Sequence, residues 1–251
     1  MKVSFFVCEN SGYSQFKESL GELPKCVEVT LADNIENIGF GRGHNKNFIE
    51  ISKHAKFDSI VVANSDIEIL DGSLLKNLHQ ASGGEHVVSP QIVTPAGEGW
   101  YAGGTIGALT GDLRINRRLF RSGFRKTEFM CGCFFMMPRV ILKDVGGFSE
   151  DYFMYAEDLE FSIRVVRSGC LMYVVDEKII HRVGSGSDGE YSPLYLYENT
   201  KNRRKCLNDN KLGVYPISKV FFFIKYFLAR YVQLFLIGDS VSFKYVMRAF
   251  K

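Results

Sequence analysis

The sequence predicts an α/β fold, a mostly parallel sheet flanked by helices with a C-terminal helical appendage. Three observations carry this expectation. Residues 3–8 (VSFFVC) and 59–63 (SIVVA) are near-continuous apolar runs, as expected of strands buried on both faces. Such runs alternate with segments of helical periodicity, which is the pattern of βα units. Polar groups, Glu9-Asn10 and Asn64-Ser65-Asp66, follow two of the runs, where parallel sheets place their ligands.

The elements follow in order. Residues 14–20 suit a short helix, and 27–31 alternate like a strand. Residues 37–45 (NIGFGRGHN) form a Gly-rich loop, and 45–54 a helix with Phe48, Ile49 and Ile51 on its apolar side. After the strand at 59–63 come a helix over 74–80 and a strand over 87–89. Residues 100–129 are rich in Gly and Arg and weakly patterned, which predicts a long irregular region, mobile over the site. Residues 129–137 read as a strand. Pro138 opens a helix that Gly146-Gly147 closes. Residues 156–168 form a helix with acids in its first turn and Arg164 and Arg167 near its end, as the macrodipole favours. Strand-like stretches at 171–175 and 178–180 precede His181, and 184–189 (GSGSDG) is a flexible loop.

Composition excludes several classes. With 251 residues and 46% hydrophobic content, the chain can bury a sizeable core. A formal net charge of +3 gives no support to nucleic-acid binding. The six cysteines contain no CxxC pair, and Cys131-Gly132-Cys133 has no second pair to complete a tetrahedral set, so reduced thiols in a cytoplasmic protein are expected. The apolar run after Met1-Lys2 is too short for an export signal.

The chemistry-bearing residues are few. Glu157-Asp158 begins a helix, where acids cap and compensate the dipole. A carboxylate there can also act as a general base toward a sugar hydroxyl. Two adjacent acids on a helix cannot both face one pocket, so one serves as base and the other binds substrate or orients neighbours. Asp66 suits a hard cation such as Mg2+ or Mn2+ that also binds diphosphate oxygens, or a strand-end turn. His181 is either structural or a nitrogen ligand for Mn2+. The spacing of Gly39, Gly41 and Gly43 departs from the dinucleotide fingerprint, which leaves a turn that brings backbone close to a diphosphate.

Four stretches together resemble family 2 glycosyltransferases of the Rossmann-like GT-A fold, most of all the bacterial rhamnosyltransferase group and related galactofuranosyltransferases. They are NIGFGRGHN (37–45), VVANSDIEIL (61–70), GCFFMMPRVILKDVGGFSEDYFMYAEDLEFSIRVVRSG (132–169) and IIHRVGSGS (179–187). The resemblance implies an inverting transferase that moves rhamnose or a hexose from dTDP-rhamnose or a UDP-sugar to a glycan or lipid-linked glycan acceptor, building cell-surface polysaccharide. It implies Asp158 as the base, with Glu157 beside it. It also implies Asp66 and His181 as ligands of Mn2+ or Mg2+, and Glu9 and Asn10 as contacts to the nucleotide base. Arg42 and Asn45 would lie near the diphosphate or ribose. Asn64 replaces the first acid of the family's D-x-D, as in its N-P-D form. Residues 3–10 match the family's second strand, so its first βα unit is expected to be missing. That difference favours a rival reading, an inactive relative that scaffolds another transferase.

The resemblance covers residues 1–210, expected as the catalytic domain, with 211–251 as a helical region. Residues 220–237 are very apolar but carry Lys225 and Arg230, which makes a membrane span marginal. They suit a helix lying in the membrane interface or one packed on the catalytic domain. A peripheral protein on the inner face of the cell membrane is the location these readings imply.

Overall fold

The computed structural model describes residues 2–6, 28–32, 38–53, 57–64, 66–182, 192–236 and 239–250. The strands are β1 (Lys2–Phe6), β2 (Glu28–Ala32), β3 (Ser59–Asn64), β4 (Ile67–Ile69), β5 (Val87–Val93), β6 (Gly99–Tyr101), β7 (Gly104–Ile106), β8 (Leu113–Ile115), β9 (Phe124–Thr127), β10 (Phe134–Pro138) and β11 (Met172–His181). The helices are α1 (Phe40–Lys53), α2 (Leu74–Ser82), α3 (Arg139–Val145), α4 (Glu157–Arg167), α5 (Pro193–Asp209), α6 (Ile217–Phe223), α7 (Ala229–Leu236) and α8 (Ser240–Ala249). A π-helical turn (Ile224–Leu228) joins α6 to α7.

The main sheet runs β2-β1-β3-β10-β5-β11-β4. The β1–β2, β1–β3 and β5–β11 pairs are parallel, and β10 lies antiparallel between β3 and β5. The sheet is therefore α/β and mixed. Its side chains alternate between two layers, as a period of two dictates. Val61, Ala63, Phe134 and Met136 enter one core with Leu74 and Leu78 of α2, while Ile60, Val62, Phe135 and Met137 enter the other with Phe48 and Ile51 of α1. All six residues of β3 but the last are fully buried, which explains its unbroken apolar run.

Four expectations are corrected. The Gly-rich stretch is not a loop, because α1 begins at Phe40 and contains Gly41 and Gly43. Its glycines serve close packing. A Cβ on Gly41 would stand 3.0 Å from the carbonyl oxygen of Ser149, and one on Gly39 would stand 2.5 Å from that of Phe153. Residues 99–127 carry four short strands, β6 to β9, joined by irregular segments. Side-chain bonds to backbone, rather than periodicity, hold them: the Gln91 amide donates to the Phe120 carbonyl (3.0 Å) and accepts from the Phe120 N–H (2.7 Å), and Thr127 Oγ1 accepts from the Gly104 N–H (2.8 Å). Only 134–138 of the apolar stretch 129–137 is strand. The two strand-like stretches before His181 are one strand, with a pairing irregularity against β5 between Val174 and Lys178. The expected helix at 14–20, together with Glu9 and Asn10, lies outside the described residues.

The C-terminal elements pack on α5. Leu196 of α5, Leu234 of α7 and Val246 of α8 form a small separate core. Among the described residues no helix is long and apolar enough to cross a membrane.

Gly39 has φ +94° and faces the Phe153 carbonyl, whose oxygen accepts from the Phe40 N–H at 3.1 Å. Gly39→Ala is expected to cost at least about 2 kcal/mol through backbone strain and overlap. The midpoint of urea unfolding checks this, with Gly72→Ala as the control, since a Cβ there meets nothing within 4 Å.

Candidate active site

The site lies at one end of the sheet. β3 ends at Asn64, and β4 runs antiparallel to the end of β11, with His181 opposite Ile67. That register brings His181 Nε2 to 3.0 Å from Asp66 Oδ2. The pairing is backed by the Arg182 N–H, which donates to the Asp66 carbonyl at 2.9 Å. The Trp100 ring meets His181 edge to face at 4.7 Å. On the other side of the imidazole, Cys133 Sγ stands 3.9 Å from Nδ1, and Cys131 Sγ is 3.4 Å from Cys133 Sγ. Both cysteines are free thiols. Its hydrogen bond with Cys131, followed by burial, pushes the Cys133 thiol well above its ordinary value, so it stays protonated.

Cys131-Gly132-Cys133 joins this pair to the second half of the site. The Cys133 carbonyl accepts from the Asn64 N–H at 2.8 Å. The Gly132 N–H donates to Asp158 Oδ2 at 3.2 Å. Gly132 is also closely packed, since a Cβ there would stand 3.1 Å from the Phe40 ring and 3.4 Å from Asp158 Cβ. Asp158 therefore reaches outward from α4 to the turn. Its other oxygen accepts from the Leu159 N–H at 2.8 Å.

The two acids at the start of α4 differ in environment. Glu157 is buried, its Oε2 has no hydrogen-bond partner, and burial followed by the Asp158 charge raises it to about 8. It is mostly protonated at neutral pH. Burial raises Asp158 as well, but the Gly132 N–H, Arg203 and the Leu159 N–H act in the opposite direction. With those donors, Asp158 is the member of the pair that holds the charge. Immediately before the pair, Tyr155 (φ 67°) and Ala156 (φ 70°) both adopt the left-handed conformation, at roughly 1–3 kcal/mol each. Asn202 of α5 supports this turn by donating to the Met154 carbonyl at 2.7 Å. Arg203, the next residue, lines a narrow cavity with Asp112, Leu159 and Tyr226.

Asp66 and His181 carry oxygen and nitrogen donors of the kinds a divalent cation accepts. Nε2 and Oδ2 stand at hydrogen-bond distance, 3.0 Å, so a cation would take the place of that bond. Asp66 Oδ1 and Asn64 Oδ1 are buried without hydrogen-bond partners. Among the described residues no group of three or more His, Cys, Asp or Glu could hold a metal, so the rest of a coordination shell would come from substrate and water.

The structure thus brings Asp66 to His181, and ties Asn64 and Asp158 to the same turn. Arg42 and Asn45 are engaged elsewhere. The Asn45 amide both donates to the Phe148 carbonyl and accepts from the Phe148 N–H, each at 2.8 Å, and fastens α1 to the segment after α3. Arg42 is exposed and pairs with Glu150 at 3.7 Å. Four contributors carried no sequence signal for their roles: Gly132 through its N–H, Cys133 through His181, Trp100 and Arg203.

Solved structures show the class of fold. GalNAc-T7 with UDP, GalNAc and Mn2+ matches with a TM-score of 0.59 at 12% identity, over 88% of this chain and 49% of that one. The mannosyltransferase PcManGT of Pyrobaculum calidifontis with GDP-Man and Mn2+ matches with a TM-score of 0.55 at 13% identity, over 99% and 72%. The fold is GT-A. The sequence profile of glycosyl transferase family 21 matches residues 25–192, more than half of the chain, and the chain belongs to that family. Among curated relatives, the low-salt glycan biosynthesis hexosyltransferase Agl10 of Haloferax volcanii is 23% identical over 176 residues, 65% of this chain and 53% of that protein. The N-acetylglucosaminyl-diphospho-decaprenol L-rhamnosyltransferase of Mycobacterium tuberculosis is 25% identical over 211 residues, 74% of this chain and 68% of that protein. The chain therefore spans about half the length of the archaeal relative. These matches bear out the resemblance to family 2-like glycosyltransferases.

Glu157 carries a pH signature. Its carboxyl rises from 4.5 to about 8 on folding, so between those values the folded chain holds a proton that the unfolded chain has released. The stability from this group is complete at low pH and is lost as pH rises toward 8. Glu157→Gln is expected to remove that loss. Melting temperatures at pH 5.5 and 8 check it, the wild type falling several degrees further than the variant.

Proposed function

We propose that the chain is an inverting, metal-dependent glycosyltransferase, which moves rhamnose or a hexose from a dTDP- or UDP-sugar to a glycan or lipid-linked glycan acceptor. The observation that carries this reading is the pairing of Asp66 with His181 at 3.0 Å, on the same turn that bonds Asp158. The names of the curated relatives, a hexosyltransferase and an L-rhamnosyltransferase of N-acetylglucosaminyl-diphospho-decaprenol, support the sugar and the lipid-linked acceptor class. A lipid-linked acceptor would place the chain peripherally at the inner face of the cell membrane.

Asp66 and His181 would hold Mn2+ or Mg2+. The ion supplies charge stabilisation to the departing nucleoside diphosphate. Asp158 accepts the proton of the acceptor hydroxyl as that oxygen attacks the anomeric carbon, and a single displacement inverts the centre. The Gly132 N–H holds the accepting carboxylate in place. Glu157, neutral beside it, keeps a second negative charge away from the base. Trp100 and Cys133 flank the imidazole and keep Nε2 turned toward Asp66.

Asp158→Asn is expected to lower transfer about 10²–10⁴-fold, the range of a lost general base, and to leave donor affinity within about threefold. Single-turnover transfer and calorimetric donor binding check the two halves, and near-normal turnover would remove Asp158 as the base. His181→Ala is expected to abolish the Mn2+ dependence of donor binding. Calorimetry of UDP- and dTDP-sugars with and without Mn2+ reads this. If the wild type bound no donor under either condition, the scaffold reading would replace the enzyme.

A further inference from the structure

The segment from α6 through the π turn to α7 is apolar on two sides. One side, with Phe222 and Leu234, is buried against the rest of the protein. The other is an exposed stripe at helical spacing: Ile217, Val220, Ile224, Leu228, Tyr231 and Phe235. Val241 and Met247 of α8 are exposed as well. The most exposed member is Phe235 at 72%, and Tyr215, just before α6, is 73% exposed. A contiguous apolar face of this kind marks a contact surface.

Charge identifies what the face contacts. Residues 210–251 carry seven Lys and Arg and a single acid, Asp239, although the whole chain has a net charge of only +3. The remainder of the protein is therefore net negative, and the cationic excess is confined to the region that carries the stripe. Lys219, Lys244 and Arg248 are exposed, and Lys219 lies over the Tyr215 ring at 5.0 Å. Exposed aliphatic side chains, tyrosines and cations within one short region suit the hydrocarbon boundary, the interface and anionic headgroups respectively.

We propose that this face docks on an anionic lipid bilayer, with the stripe of α6 and α7 in the acyl boundary and the cations against phosphate headgroups. The packed side of the same segment reaches toward the site. Lys225 of the π turn pairs with Asp112 at 2.6 Å, and Phe222 and Tyr226 line a cavity behind that pair with Arg203 and Leu159, the residue after Asp158. Docking through the opposite, exposed side would hold the site close to a lipid-linked acceptor. That consequence rests on the proposed transferase reading, whereas the docking does not.

Vesicle sedimentation of the full chain tests the docking without any donor or metal. The wild type is expected to bind phosphatidylcholine vesicles containing one-third phosphatidylglycerol at least about tenfold more tightly than pure phosphatidylcholine. Val220→Glu with Phe235→Glu is expected to lower binding to both at least about tenfold, with an unchanged melting temperature, since both positions are exposed. Lys219→Gln, Lys244→Gln and Arg248→Gln together are expected to remove most of the preference for the anionic vesicles. Absence of wild-type binding, or binding that the Glu variants leave intact, would overturn the proposal. So would a concentration-dependent dimer in sedimentation velocity that the Glu variants dissolve while vesicles bind neither form. If the wild type binds vesicles but no nucleotide sugar, the docking stands and the transferase reading falls.

Discussion

The Gly132 N–H donates to Asp158, while the carbonyl of the following Cys133 accepts from Asn64 and its thiol stands against His181. These contacts on two successive residues set the spacing between the Asp66–His181 pair and Asp158. The turn has little freedom to move. The Phe40 ring packs on Gly132 from one side and the start of α4 from the other. Gly39 and Gly41 then have a plain purpose, because they let the start of α1 approach the 148–153 segment closely enough to deliver Phe40. A stretch that looks built for phosphate is spent on fastening Asp158.

Electrostatics divides the two acids of α4. Both are desolvated, and two adjacent negative charges in a poorly hydrated site would repel strongly. Asp158 has two N–H donors, and Glu157 has an unpartnered oxygen. One proton shared unequally between them is the low-energy solution, and it falls to Glu157. The strained Tyr155-Ala156 turn sets this arrangement at the helix start, and α5 clamps the turn through Asn202. Helix α5 in turn carries the C-terminal elements through Leu196, so the Glu157-Asp158 pair and the exposed apolar face are supported by one helix.

That apolar face resolves an ambiguity of the C-terminal region. A helix packed on the catalytic domain and a helix lying in an interface looked like alternatives. The π turn and the packing on α5 and α8 show one segment with two apolar sides, so the packed side does not use up the hydrophobic surface.

Much of the fold was legible locally. The apolar runs at 3–8 and 59–63 and the periodicity of 74–80 and 156–168 each report strands or helices within a few residues of their observed limits. The same holds for the placing of Glu157-Asp158 at a helix start, and of Asp66 and His181 at strand ends. What the sequence could not determine is contact between residues far apart in the chain. Asp66 and His181 are separated by 115 positions and meet only because β4 pairs with β11 in one register. The order of residues 99–127 depends on side-chain bonds such as Gln91 to Phe120, which leave no periodic trace. Which of two neighbouring carboxyls keeps its proton depends on desolvation and on the Gly132 N–H. Hydrophobic period is a property of the chain itself, whereas register, burial and the aim of a backbone N–H exist only once distant elements have packed together.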